Sequence, residues 1–346
     1  MNERKKKPPP TRGDIGFRLL GLAVVVASFL AAWLMMEFQS FRQNPLPVPE
    51  TGVDLVVKPG SSLRAVARDL GEQQVLEHPA YLVLLGRYLD LDSRIKAGEY
   101  QLAPGLTPEQ LLHQLSEGKV VQHGITLIEG ETFKQMMARL RLDPVLEHTL
   151  VSDRPEDVMR EIGYPGLHPE GRFLPETYYF PRGTTDVDLL RRAYLDMENF
   201  LQQAWPERDP GLPFDTPYEA LILASIVEKE TAVPEERPRI AGVFVRRLEK
   251  GMKLQTDPTV IYGMGDSYDG DIRFRDLRQD TPYNTYTRSG LTPTPIAMPG
   301  REALLAVLHP APGKELYFVA RGDGSHHFSA TLKEHNRAVD RYQRKR

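Results

Sequence analysis

Two glutamates, Glu228 and Glu230, close the segment Thr216–Thr231, TPYEALILASIVEKET. A carboxyl group held at the end of an apolar helix titrates above its ordinary range. Burial disfavours the charged form, and so does the negative end of the helix dipole. Such a group can carry a proton near neutral pH and hand it over, which is what general acid catalysis requires. The alternative is a helix end that emerges into solvent as a salt-bridged Glu-Lys-Glu.

The element that must position these acids is legible in the same segment. Thr216 is a good N-cap, Pro217 suits the first helical position, and Glu219 completes a T-x-x-E capping box. From Ala220 to Val227 the residues are apolar apart from Ser225, on all sides of the helix, so it belongs inside a core. Pro234 bounds it. At 3.6 residues per turn, residues two apart diverge by about 200°. A two-carboxylate glycosidase needs its acids facing each other at about 5–5.5 Å or 6.5–9.5 Å. Glu228 and Glu230 cannot both address one glycosidic oxygen while the helix is intact. Asp257 is a further carboxylate, but its place before Pro258 suits a helix cap equally well. A single-acid mechanism is the more economical reading.

Composition removes several classes. The chain has 346 residues, 40% hydrophobic and 26% charged, with a net charge of −3 and no cysteine. Disulfides, thiolate metal sites and thiol nucleophiles are therefore excluded. Residues 1–18 hold six basic side chains (Arg4, Lys5, Lys6, Lys7, Arg12, Arg18) against Glu3 and Asp14. The acidic remainder argues against nucleic acid as a partner. His326-His327 is the sole histidine pair, and neighbours in a strand point to opposite faces, so the two cannot chelate one metal together. There is no G-x-S-x-G, Walker or Rossmann pattern. No metal and no cofactor are expected.

Leu19–Met36, LLGLAVVVASFLAAWLMM, is 18 residues without a charge. Extended back to Ile15, it can cross a bilayer core of about 30 Å as a helix. The basic cluster before it predicts a cytoplasmic N-terminus, with the rest of the chain on the other side. A cleaved signal peptide is the rival reading. The apolar run exceeds a signal core of about 7–15 residues and no small-x-small site follows, so a retained anchor is expected.

After the anchor, Gln43–Glu50 is a proline-spaced linker. Val53–Val57 alternates as a strand, Pro59-Gly60 turns, and Ser62 can cap a helix through Leu70. A second helix is expected over Ala80–Leu89, a strand over Gly98–Leu102, and a helix from Pro108 that stops at Gly118. Val56–Leu70 echoes Thr126–Leu140 at an offset of 70 residues, with Gly60 over Gly130, Leu63 over Phe133 and Leu70 over Leu140. The strand, glycine turn, S/T-hydrophobic and helix order resembles half of a LysM glycan-binding module; a spacer that binds no sugar is the alternative. His168–Tyr179 has no helical or strand period. Asp186 can cap an amphipathic helix over Val187–Gln203 whose role is core packing. A helix to Leu248 follows the bend at Pro234, then a short helix opened by Pro258 with Asp257 as its cap. Thr281–Pro299 is loop, and Leu316–Ala320 with His326–Ser329 reads as a hairpin. Thr331 and Glu334 form another capping box.

The loop Thr281–Pro299 is dense in Tyr283, Asn284, Thr285, Tyr286 and Arg288, which offer the flat faces and hydrogen bonds that a sugar needs. Taken together, SIVEKETAVPEERPRIAGVFVRRL, MKLQTDPTVIYGMG, YNTYTRSGLTPTPIAMPG, EGRFLPETYYF and LYFVARGDGSHHFSATLKEHN are similar to the YceG family of endolytic murein transglycosylases. The resemblance covers nearly the whole chain. It implies an α+β protein with a single N-terminal transmembrane helix, a LysM-like βα module and a mixed α/β catalytic domain. The expected divisions are a basic arm at 1–18, an anchor at 19–36, a linker at 37–50, the module at 51–122, a second βα unit at 123–165 and the catalytic domain at 166–346.

The resemblance also implies a mechanism. Glu228 would be the catalytic acid, donating to the oxygen between N-acetylmuramic acid and N-acetylglucosamine. It would then accept the proton of the muramoyl C6 hydroxyl as that oxygen attacks C1, giving a 1,6-anhydro end without water. Intramolecular attack has a high effective molarity, so one acid/base suffices. Gln255, Asp257, Tyr283, Asn284, Tyr286 and His326 would contact sugar, with Glu230 and Ser225 in supporting positions. The implied partners are glycan strands, the bilayer through residues 19–36 and membrane-bound synthases. The implied location is the cell inner membrane, with the catalytic domain periplasmic. A lysozyme-like hydrolase and a non-catalytic murein-binding scaffold remain as alternatives.

Overall fold

The computed structural model describes residues 12–344. Most of the basic arm lies outside the described residues. The chain divides into two compact units, Met1–Gln122 and His123–Arg346.

The first unit begins with α1, Arg12–Gln43, whose apolar side chains from Leu20 to Met36 are largely exposed. The helix continues past the apolar run to Gln43, where the proline-spaced stretch begins. Strand β1, Val53–Val57, is followed by α2, Leu63–Glu72, and α3, Pro79–Tyr88. Strand β2, Gly98–Leu102, returns antiparallel to β1, with Val53 opposite Leu102. Helix α4, Pro108–Glu117, completes the unit. Its Thr107–Gln110 capping box and left-handed Gly118 fix both ends by local chemistry. Leu55, Leu63, Val66, Leu70, Leu82, Leu85, Tyr100 and Leu112 form the core.

The second unit repeats the opening. Strand β3, His123–Thr126, turns through Gly130 into α5, Phe133–Arg141. Gly60 and Gly130 hold φ of +77° and +75°, the left-handed region where glycine costs least. Ser62 and Thr132 then cap the two helices alike. Helix α6, Pro155–Glu161, leads to β4, Thr177–Phe180, which pairs antiparallel with β3. That strand lies at the end of the stretch that carried no periodic signal; a four-residue strand is too short to display one.

Helix α7, Asp186–Ala204, buries Leu189, Leu190, Ala193 and Met197 as expected, but Asp186 is not its cap. Thr185 caps it, accepting the Asp188 N–H at 3.0 Å. Asp186 is buried at 1% exposure and accepts the N–H groups of Thr149 and Leu150, so tertiary partners outcompete the local cap. Helix α8, Pro217–Glu230, has the capping box read from sequence, and every residue from Ala220 to Val227 is buried. It packs among α9, Arg237–Glu249, and α12, Arg301–Leu308, through Leu223, Val227, Ile240, Phe244, Leu304 and Val307. Between these lie α10, Asp257–Met264, and the short α11, Phe274–Arg278. Strands β5, Tyr317–Ala320, and β6, His326–Ser329, form the terminal hairpin, followed by α13, Leu332–Tyr342.

Candidate active site

Glu228 and Glu230 leave the last turn of α8 in different directions and meet different surroundings. Glu228 is 7% exposed at its side chain. Its Oε2 accepts the Gly300 N–H at 3.0 Å, and its Oε1 lies 3.6 Å from Arg237 Nη2. Burial raises its pKa, the Gly300 N–H opposes that, and the nearby Glu129 carboxylate adds to the rise. Glu129 sits so close that a Cβ on Gly300 would meet its Oε1 at 2.0 Å. The loop carrying Gly300 is itself fixed to α8, because Ser225 Oγ accepts the Ile296 N–H at 3.0 Å and donates to the Ile222 carbonyl. Ser225 is thus fully buried and clamps the 296–300 segment against the helix.

Glu230 opens on a cavity of about 540 Å³ lined by Gln255, Thr256, Asp257, Tyr286, Phe318 and His326, among others. Burial pushes its carboxyl up to about 7, so the neutral acid persists near neutral pH. The Thr256 hydroxyl donates to Oε1 and, with the positive charge of Arg247 and the nearby His326, favours the charged form; Asp257 works against it. These opposed influences leave the acid near the pH at which proton transfer in either direction is easiest.

The remaining expected site residues fall into three places. Gln255, Asp257, Tyr286 and His326 surround Glu230. Asp257 is not the cap of α10: Thr256 occupies that position, and its hydroxyl is spent on Glu230. Asp257 Oδ1 instead accepts the Tyr286 O–H at 2.5 Å. Gln255 holds a left-handed φ of +50°, a strained conformation for a residue with a side chain. His326 is gripped by Glu236, which accepts its N–H at 2.9 Å and lies 2.6 Å from Nδ1. Asn284 is different. It is buried at 1% exposure, donates to the carbonyls of Asp276, Leu277 and Gln279, and accepts the Tyr286 N–H. It shapes the loop that presents Tyr286 and has no face left for a ligand.

Tyr283 belongs to a third group. Its ring stands edge-on to Tyr262 at 4.8 Å, and its hydroxyl pairs with Thr294 at 2.9 Å. Tyr262 donates to Glu170 at 3.0 Å, and Glu170 also accepts the Phe133 N–H at the start of α5. Glu170 is 3% exposed and pushed up to about 7 by burial. This third buried acid escaped the sequence reading, although it lies within EGRFLPETYYF. Its neighbours Phe173 and Leu174, both apolar and close to a glycine turn, were the available sign that the segment is buried.

Among the described residues no group of three or more His, Asp or Glu is placed to hold a metal ion. The arrangement offers a titratable carboxyl at Glu230, polar side chains of Gln255, Asp257 and Tyr286, and the apolar side of Phe318 in one cavity.

Comparison with known proteins agrees with the motifs. Residues 55–341 match the model of the YceG-like family. An endolytic murein transglycosylase of Bacillus subtilis is 32% identical over 311 residues, covering 85% of either chain. One of Streptococcus pneumoniae is 25% identical over 91% of this chain, which spans 63% of that longer relative. A crystal structure of a YceG-like protein from Listeria monocytogenes is similar over 84% of this chain and 99% of its own, at 28% identity and a TM-score of 0.49. On the extent of the family match and of the Bacillus alignment, the chain belongs to the YceG-like family.

Proposed function

We propose that the chain is a membrane-anchored endolytic murein transglycosylase in which Glu230, rather than Glu228, is the acid/base. The observation that carries this is the cavity on Glu230: its carboxyl, whose pKa burial raises, shares the lining with Asp257, Tyr286, Gln255 and His326, whereas Glu228 is not among its lining residues. Glu230 donates its proton to the glycosidic oxygen as the bond from muramoyl C1 breaks. The resulting carboxylate takes the proton of the C6 hydroxyl while that oxygen bonds to C1. The balance closes with a 1,6-anhydro end, a free 4-hydroxyl on the next sugar and Glu230 protonated again. Asp257 and Tyr286, already joined, orient the sugar, and Gln255 supplies a polar contact from its strained turn. Glu228 serves as a strut, holding Gly300 and the loop before α12.

The exposed apolar run of α1 supports a bilayer anchor, and the basic residues before it in the sequence support placing the rest of the chain outside the cytoplasm. The strand–helix–helix–strand order of β1, α2, α3 and β2 supports the LysM-like reading of the first unit. An enzyme so tethered acts on strands close to where membrane-bound synthases release them.

Purified murein digested with the wild type, Glu230→Gln and Glu228→Gln and resolved by mass spectrometry tests the assignment. Loss of general acid catalysis costs on the order of 10²–10⁴ in rate. Glu230→Gln is expected to fall by that much, and Glu228→Gln to keep most of its activity with reduced stability. The converse pattern returns the role to Glu228. Reducing ends in place of anhydro ends mean hydrolysis.

A further inference from the structure

Where α1 leaves its exposed apolar run, it enters a packed junction. Side chains are exposed through Met36, and Glu37, Phe38, Phe41 and Arg42 are then partly covered. Phe38 meets the Tyr88 ring edge-on at 6.1 Å, and Phe41 meets Tyr81 at 5.5 Å. Arg42 grips Glu109 of α4 through both its Nε, at 2.6 Å, and its Nη2, at 2.7 Å. The Leu46 N–H donates to the Leu106 carbonyl at 2.8 Å. The helix is therefore fixed to the rest of its unit rather than hinged.

That fixation sets the height of α3. Tyr81 packs at Phe41 and Tyr88 at Phe38, so α3 runs back along α1 towards the apolar segment. Phe38 lies two residues beyond Met36, about 3 Å along the axis. Tyr88, at 67% exposure, accordingly stands at the boundary where the apolar run ends. Tyr81, Leu84 and Tyr88 fall on one stripe of the helix. Leu84 is 54% exposed. Beside this stripe an open groove of about 690 Å³ is lined by Arg64, Arg68 and Arg87 together with Tyr81, Val83 and Leu84. Arg68 pairs with Asp69 and Glu72, and Arg87 with Asp92 at 3.8 Å, all at well-exposed positions. Exposed pairs of this kind contribute about 0–1 kcal/mol, so the guanidinium groups remain open to a stronger acceptor.

We propose that the α2–α3 face rests on the bilayer surface, with Tyr88 and Leu84 among the lipid headgroups and Arg64, Arg68 and Arg87 against the phosphates of anionic phospholipid. The inference rests on the reading of α1 as a membrane span. An aromatic ring with one polar end favours this depth, and arginine stems can lie along apolar surface while the guanidinium reaches phosphate. The face is continuous with the anchor, so the membrane is its nearest partner. The first unit then lies against the surface instead of standing clear of it.

The chain has no cysteine, so single introduced cysteines can carry a nitroxide label. The full chain is reconstituted in phosphatidylcholine–phosphatidylglycerol vesicles with labels at Val25, Leu84, Tyr88 or Val151. Collision with oxygen, which partitions into lipid, is compared with collision with a water-soluble nickel complex. The expected result is strong nickel protection at Val25, several-fold protection at Leu84 and Tyr88 relative to the exposed Val151, and loss of protection at Leu84 when Arg64, Arg68 and Arg87 become glutamate. Leu84 and Tyr88 as open to nickel as Val151, with Val25 still protected, overturn the docking while leaving the anchor intact. Val25 open to nickel overturns the anchor and the docking together. Equal protection of Leu84 and Tyr88 in phosphatidylcholine alone overturns the role of anionic lipid.

Discussion

The Thr256 hydroxyl donates to the Glu230 carboxylate, joining the last residue of α8 to the residue that precedes α10. The next residue, Asp257, places a negative charge beside the same carboxylate. One neighbour favours the charged form of Glu230 and the other disfavours it, so removing each has an opposite effect.

With Glu230 as the proposed acid, kcat/KM is expected to decline as pH rises through about 7, where its proton is lost. Thr256→Val removes a donor to the carboxylate, raises the pKa and moves that alkaline limb to higher pH. Asp257→Asn removes a like charge, lowers the pKa and moves it to lower pH. A pH series on soluble glycan measures both. Shifts in the same direction would show that Glu230 does not set the limb.

Glu170 provides a stability counterpart. In the fold its carboxyl is held up to about 7 from an ordinary 4.5. The folded state thus binds the proton more tightly than the unfolded chain. The associated stability is fully present below about 4.5 and is lost as pH rises to about 7, at roughly 1.4 kcal/mol per tenfold in proton affinity. Urea midpoints are expected to be higher at pH 5 than at pH 8. Glu170→Gln should flatten this dependence but not abolish it, because Glu230 titrates in the same sense.

Ser225→Ala leaves the Ile296 N–H buried without its acceptor. An unsatisfied buried donor costs about 1–3 kcal/mol, and the 296–300 loop that holds Glu228 should loosen with it. Thermal unfolding reads the cost. Faster hydrogen exchange confined to that loop separates a local effect from global destabilisation.

Gly171 has a φ of +76°, and a Cβ there would lie 2.5 Å from Pro295 Cβ. Gly171→Ala combines backbone strain with a clash against a rigid ring, at roughly 2–4 kcal/mol. An unchanged unfolding midpoint would mean that the Glu170 turn and the Pro295 loop are not packed together.

Legibility in the sequence followed the range of the interactions. The Thr216–Glu219 and Thr331–Glu334 boxes, the turns at Gly60 and Gly130, and the burial of α8 were all readable because each is decided within a few residues. The helix α12 was not anticipated: its cap position is Gly300, which offers no side-chain oxygen. Asp186 and Asn284 look like surface or ligand-facing groups in a linear reading, yet both are buried among backbone partners. The two acids of α8 were correctly separated by the helical repeat. Their absolute orientation was not available, because it is fixed by Thr256, 26 residues on, and Gly300, 72 residues on.

The wall of the Glu230 cavity is assembled late. Tyr317–Ala320, His326 and residues of α13 line it, and these are the final segments of the fold to emerge when a chain is made N-terminus first. Without them the cavity beside Glu230 lacks one wall, and the burial that raises its pKa is reduced. Less of the acid is then protonated near neutral pH. A chain ended after Lys314, compared with the full chain in glycan digestion, should be inactive although Glu230, Asp257 and Tyr286 are all present. Activity in that shortened chain would contradict the idea. In the proposed reading, the acid at Glu230 therefore depends on the hairpin of β5 and β6.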